Sequence, residues 1–159
     1  MSDEYPFSIT GPDRKGPWLI TCDHANNRVP AEVNNGSLRL PADDMNRHIA
    51  YDVGAKGLSL ALGKHLEAPV LCSNFSRLVI DPNRGEDDPT LLMKLYDGSV
   101  IPANRSADAA ETTRRLAAYH RPYHAAYAQL AASDPAIVAI HSFTPQLAGR
   151  PKRPWEIGI

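Results

Sequence analysis

Cysteine is scarce in this sequence. Cys22 and Cys72 are the two present among 159 residues, and each lies inside an apolar run. That excludes a disulfide-stapled secreted scaffold and fits buried free thiols in a reducing compartment. An excess of one charge sign is also lacking. The 17 Lys and Arg offset the 18 Asp and Glu to leave a formal net charge of -1, which gives no field for nucleic acid or an anionic membrane. Neither partner is expected. No run approaches the roughly 18 apolar residues of a membrane span. The opening MSDEYPFSITGPDRKG is polar and acidic, unlike a basic-then-apolar signal segment, so a cytoplasmic location is expected. The motifs GxSxG, HExxH, GxGxxG and the Walker loop are absent, which removes several common routes to hydrolysis and nucleotide chemistry.

What is present suits one globular domain over residues 1–159, with residues 1–16 extended or poorly ordered. The chain is 43% hydrophobic and 22% charged, ordinary values for a core-forming protein. Pro17 to Cys22 reads as a buried strand, as do Ala68 to Cys72, Leu78 to Ile80 and Ala136 to Ile140. Pro41 to Leu66 reads as mostly helical, with Asp43 and Asp44 at its start and Gly54 and Gly57 dividing it. Residues 82–106 read as a long irregular stretch of the kind that is functional or mobile. Asp108 and Glu111 fit a capping pair for a helix to about Ala132, with Leu116, Tyr119, Tyr123, Tyr127 and Leu130 on its apolar face and a bend at Pro122. Alternating strands and helices predict an α/β layered domain with a mostly parallel or mixed sheet flanked by helices.

Ligands in such sheets bind beyond the carboxyl ends of strands. Three of the expected strands end there in polar groups: Asp23-His24, Asp81-Pro82-Asn83-Arg84 and His141-Ser142. Two imidazoles and an oxygen donor would leave a zinc ion one open position, and Asn27 is placed to supply the oxygen. The bland reading makes both histidines hydrogen-bonded strand ends, and spacing does not decide between the two. Arg77 and Arg84 offer planar forks for a substrate carboxylate, or they pair with surface acids such as Asp81. His48 and Asp52, one helical turn apart, read as a facing pair. His120 and His124 read as packing or surface groups, one of which could approach the site.

These segments resemble the N-formylglutamate amidohydrolase family. The matching stretches, in order, are Ile20 to Pro30, Arg47 to Ala55, Ser76 to Arg84, Pro122-Tyr123-His124, His141 to Pro145 and Arg153 to Gly158. The resemblance implies the fold of zinc-dependent exopeptidases and aspartoacylase-type deacylases, and one bound Zn2+. It further implies hydrolysis of N-formyl-L-glutamate, a small substrate with carboxylate groups, to formate and L-glutamate, as in histidine degradation. On this reading His24, Asn27 and His141 are the metal ligands, and His24, His141 and Asp81 are the catalytic candidates. Arg77, Asn83 and Arg84 bind substrate, and His48, Asp52 and Ser142 are secondary candidates. Asn27 stands where the wider superfamily carries Glu. Family members are expected to run on past the position of Ile159 through a strand bearing the general-base Glu, so the chain reads as C-terminally shortened. A deacylase of another N-acyl amino acid and a non-catalytic remnant with a carboxylate-binding pocket stay open as readings. The sequence carries no signal for an oligomeric state.

Overall fold

The structure, a computed structural model, describes residues 5–158. Residues 1–4, part of the stretch expected to be loose, and residue 159 lie outside the described residues. In chain order the elements are β1 (Phe7–Thr10), β2 (Trp18–Cys22), a 3-10 turn (Asn34–Gly36), α1 (Ala42–Met45), α2 (Ala55–His65) and β3 (Val70–Ser73). A short hairpin follows, β4 (Leu95–Tyr96) and β5 (Ser99–Val100), then α3 (Pro102–Arg105), α4 (Ala109–Arg115), a π-helical turn (Leu116–His120), α5 (Arg121–Ala131) and β6 (Ala136–Ala139). The main sheet has the order β1-β3-β2-β6. β2 runs parallel to both β3 and β6, while β1 pairs antiparallel with β3. This is the mixed α/β sheet that the strand and helix alternation predicts.

Side chains alternate across the central strands with the period of two that a pleat imposes. Ile20, Cys22, Val70 and Cys72 face α2 through Ala55 and Leu60. Leu71 faces α5 through Tyr123 and Ala126. Both faces being covered, β2 and β3 are written as unbroken apolar runs. The helix α2 sits close on β3 because Gly63 carries no side chain: a Cβ there would stand 2.0 Å from Val70 Cγ2. Cys22 and Cys72 are buried free thiols, aligned in register on neighbouring strands. Among the described residues no helix is long and apolar enough to cross a membrane.

Three expectations fail, each for a local reason. Pro41 to Leu66 is in two pieces divided at Gly54, as expected, with Gly54 at φ 81 capping the start of α2, but the first piece ends at Met45, turns fill the gap and Gly57 lies inside α2. His48 and Asp52 therefore do not share a helix face. Leu78 to Ile80 is a fully buried turn, not a strand. Its backbone finds partners without a sheet: Val79 N–H donates to Ser76 O at 2.9 Å. Asn104 Nδ2 donates to Leu78 O at 2.8 Å, and Arg115 Nη1 donates to Val79 O at 2.9 Å. Buried backbone requires such partners, but they need not be a neighbouring strand. Finally β6, expected to be buried, is a sheet edge among the described residues, with Ile137 47% exposed.

The continuous helix of α4, the π turn and α5 begins as the sequence predicts, with Asp108 Oδ1 accepting from Glu111 N–H at 2.8 Å. The Glu111 carboxylate turns forward to Arg114 and Arg115 rather than back to the cap. The π turn ahead of Pro122 is where the ladder accommodates a residue with no N–H.

Candidate functional site

The carboxyl ends of β2 and β6 carry His24 and His141, and the parallel pairing brings their rings to a centroid separation of 5.1 Å. Between them stands Asp52. Its backbone N–H donates to His24 O at 3.0 Å, which ties the non-helical 46–54 segment to the end of β2. Its carboxylate is the hub of the site. Asp52 Oδ2 lies 3.0 Å from His141 Nδ1 and 3.4 Å from His24 Nδ1, and accepts from Ser142 N–H at 3.3 Å. Asp52 Oδ1 accepts from Arg77 Nη2 at 2.5 Å, and the same Nη2 packs against His24 Nδ1.

Each imidazole has a second carboxylate on its far nitrogen. His24 Nε2–H donates to Asp81 Oδ1 at 2.7 Å, and His141 Nε2 faces Asp23 Oδ2 at 3.5 Å. Asp23 is held in turn by Tyr123, whose hydroxyl donates to Asp23 Oδ1 at 2.5 Å. Such outer carboxylates fix the tautomer and orientation of histidines whose other nitrogen binds a metal. One atom each from His24, Asp52 and His141 lies within 4.8 Å of the others. Two neutral nitrogens and one carboxylate oxygen, with an open side toward a cavity, match the donor set of a catalytic zinc site.

The proton balance follows from these contacts. Hydrogen bonds to Asp23 and then Asp52 push the His141 imidazole up to about 10. Burial by itself lowers His24, but the bonds to Asp52 and Asp81 outweigh it, and its pKa is raised. Burial raises Asp52, yet the His141 and His24 bonds and the Arg77 charge hold it well below the usual carboxylate range. The cluster is thus built to hold positive charge against Asp52. Among the described residues the guanidinium of Arg77 stands there, with its Nε buried and unpartnered.

A cavity of about 210 Å³ opens onto this cluster. It is lined by His24, His48, Asp52, Arg77, Asp81, Asn83, Arg84, Tyr96, His141, Ser142 and Arg153, among others. Every candidate named from the sequence lines it except Asn27. The Asn27 amide nitrogen is tied to Met45 O at 2.7 Å and to Asn46 Oδ1 at 3.3 Å outside the cavity, whereas Asp52 stands with the two histidines as a possible metal donor. Ser142 contributes its backbone N–H. His48 faces Asp97, not Asp52, with Nε2 3.2 Å from Asp97 Oδ2. Asp81 is an acceptor for His24 and for Asn83 N–H, the latter at 2.9 Å. The loop bearing Asn83 and Arg84 is held from behind: His120 Nε2–H donates to Arg84 O at 2.8 Å and His124 Nε2–H to Pro82 O at 2.9 Å. Sequence reasoning placed Asp23 among the polar strand ends and one of His120 and His124 near the site, but missed Tyr123 and the part both histidines play behind the Asn83 loop. The one available signal was the recurrence of Tyr and His at helical spacing in His120-Arg121-Pro122-Tyr123-His124.

A sequence model described as N-formylglutamate amidohydrolase matches residues 16–159. The chain belongs to this family. Among solved structures, a gene product of Agrobacterium tumefaciens is 31% identical with a TM-score of 0.89, over 95% of this chain and 61% of that one. The N-formylglutamate amidohydrolase from Ralstonia eutropha is 23% identical with a TM-score of 0.51, over 80% of this chain and 51% of that one; that likeness is one of fold. This N-formylglutamate amidohydrolase family member therefore spans about three-fifths of the first structure and half of the second. No curated protein matches the chain.

Proposed function

We propose that this chain carries the metal and substrate-carboxylate part of a zinc-dependent amidohydrolase site that converts N-formyl-L-glutamate and water to formate and L-glutamate. The observation that supports it is the triad of His24 Nδ1, Asp52 and His141 Nδ1, each imidazole backed by its own carboxylate. His24, Asp52 and His141 would hold one Zn2+, with Asp81 and Asp23 orienting the rings. When bound, zinc polarises the amide carbonyl and acidifies a water. The chain's own groups bind and orient the substrate. Arg84, with side-chain ion partners no nearer than 3.9 Å, presents a free fork beside the Asn83 amide for a substrate carboxylate. Arg77 is held by Asp52 Oδ1 through Nη2, and its Nη1 lies 3.4 Å from the Tyr96 hydroxyl in the same cavity.

Net hydrolysis adds hydroxyl to the formyl carbon, breaks the C–N bond and delivers a proton to the departing nitrogen. Among the described residues lining the cavity, Asp52 and Asp81 are both engaged by histidine. Glu156 does not line this cavity; it lines an adjoining depression with Trp155 that shares Phe143 and Arg153 with it. A second reading, a pocket that binds carboxylates without turnover, is favoured by this lack of a free lining carboxylate.

The deciding experiment measures zinc by elemental analysis and formate release from N-formyl-L-glutamate, with and without chelator. Stoichiometric zinc with chelator-sensitive formate release is expected. Stoichiometric zinc with ligand binding but no formate supports the second reading. Protein that takes up no zinc would refute the metal assignment.

A further inference from the structure

Three guanidiniums line the metal-side cavity, and only one is already spent. Arg77 is bonded to Asp52. Arg84 is 45% exposed and its nearest acidic oxygens lie at 3.9 and 4.0 Å. Arg153, on the segment after β6, is in no ion pair among the described residues. Yet it is not a loose surface arginine. Its backbone N–H donates to Pro145 O at 2.8 Å, and its guanidinium carbon lies 5.2 Å from the centroid of the Phe143 ring. A stacked guanidinium keeps its in-plane N–H groups free, so stacking fixes orientation without using up the fork. The Arg153 charge is felt across the cavity. Burial lowers the His48 imidazole, Asp97 opposes that, and Arg47, Arg77 and Arg153 add to the lowering.

We infer that Arg153 is a second carboxylate anchor, pairing with the side-chain carboxylate of an N-acyl dicarboxylic amino acid and so setting a preference for acidic over neutral side chains. The inference rests on the substrate class proposed above. Two carboxylates need two forks, and the order in which they are met follows from the chain. The α-carboxylate is attached to the carbon that bears the scissile nitrogen, so its receptor must stand beside the triad. Arg84 does, because its Nε is 3.9 Å from Asp81, which is bonded directly to His24. Arg153, stacked on Phe143 two residues past His141, lines the same cavity with its fork unused, and so is left for the carboxylate two methylenes further along the substrate.

The test is calorimetric binding of N-formyl-L-glutamate and of the neutral isostere N-formyl-L-glutamine to zinc-loaded and chelator-treated protein. Wild type, Arg153→Met and Arg153→Lys are compared. Met keeps the apolar contact with Phe143 and removes the charge. Removing a charge-assisted bond at a half-exposed rim is expected to weaken N-formyl-L-glutamate about tenfold while moving N-formyl-L-glutamine less than about twofold. Arg153→Lys should fall between, keeping the charge without the fork. An unchanged Kd for N-formyl-L-glutamate in Arg153→Met, or equal losses for both ligands, would overturn the inference while leaving the proposed function standing. Wild type that binds neither ligand would overturn both together.

Discussion

Replacing Asp52 by Asn removes one negative charge from a point where four donors converge: the Nδ1 atoms of His24 and His141, the Ser142 N–H and the Arg77 guanidinium. Asp52 is 3% exposed and Arg77 8%, so water cannot take over the lost contacts. Breaking a buried ion pair from one side costs about 3–5 kcal/mol because the partner charge is left behind. Here the lower end applies. An Asn carbonyl still accepts one bond, and Arg77 retains the Tyr96 hydroxyl. A loss of about 3 kcal/mol is about 150-fold in the folding equilibrium. With a urea slope near ~2 kcal/mol/M, the midpoint should fall by about 1.5 M.

The assay is urea unfolding in the presence of chelator, so that no metal contributes. Asp52→Asn is compared with Arg77→Met and with the double variant. If the penalty comes from the stranded guanidinium, the double variant should be more stable than the sum of the single effects predicts, by about 1 kcal/mol or more. With zinc added, wild type should gain stability by mass action and Asp52→Asn should gain little, having lost a ligand. Strict additivity, or an Asp52→Asn effect below about 0.5 kcal/mol in chelator, would show that Asp52 is not the electrostatic hub described.

Proton release should accompany metal uptake, since His141, pushed up to about 10, is protonated at neutral pH and must be neutral to ligate. Calorimetry in buffers of different ionisation enthalpy should give about one proton or more per zinc at pH 7, and none would refute the His141 assignment. The same shift sets a stability window. A raised histidine stabilises fully below its unfolded value near ~6.5 and loses that contribution as pH climbs toward the folded value. Metal-free protein should therefore weaken between about pH 6.5 and 10 while zinc-loaded protein does not, as thermal melts across that range would show. Asn104→Ala removes the partner of Leu78 O, Met93 O and Arg115 at a fully buried site. It should cost about 3 kcal/mol, roughly 6–12 °C in Tm, and a shift under about 2 °C would show that the turn does not depend on it. Gly63→Ala pushes a methyl into Val70 and should cost about 1–3 kcal/mol, partly restored by Val70→Ala; a neutral result would mean that α2 lifts freely from β3.

The parts of the site legible in the sequence are those fixed by strand periodicity. His24 and His141 follow apolar runs that form neighbouring strands, and parallel pairing of β2 with β6 then delivers them to one edge. Asp81-Pro82-Asn83-Arg84 reached the cavity by a different route from the one expected. The apolar triplet before it is a turn capped by Asn104 and Arg115, residues 26 and 36 positions away from the carbonyls they bind. A short buried apolar run has the same pattern in a strand and in such a turn, because periodicity reports burial and not the partner of the backbone. The Asp97-Gly98 hairpin and α3 lie inside residues 82–106, which read as irregular because each of the hairpin's strands is only two residues long. Asp97 and Gly98 both take positive φ, 43 and 85, the geometry that Asp-Gly favours between two short strands.

Asp52 marks the point where local reasoning stops. Its spacing from His48 invites a helical pair, and a helix there would have turned the carboxylate toward an imidazole that now faces Asp97. What prevents the helix is a set of long-range backbone bonds: Asp52 N–H to His24 O, and Arg77 N–H to Ala50 O. These tie the 50–52 segment to the ends of two other elements at once and leave it no freedom to coil. A carboxylate delivered this way leaves no mark in sequence spacing, since its neighbours in space are 28 and 89 residues distant. The neighbouring Asn27 offers a spacing that looks correct, yet its amide nitrogen closes the 27–46 loop and its side chain does not line the cavity. The two histidines could be named from where strands end. The oxygen between them could be named only from where a loop is tied, which is why the metal triad, and not the histidine pair alone, is the feature on which the proposed chemistry depends.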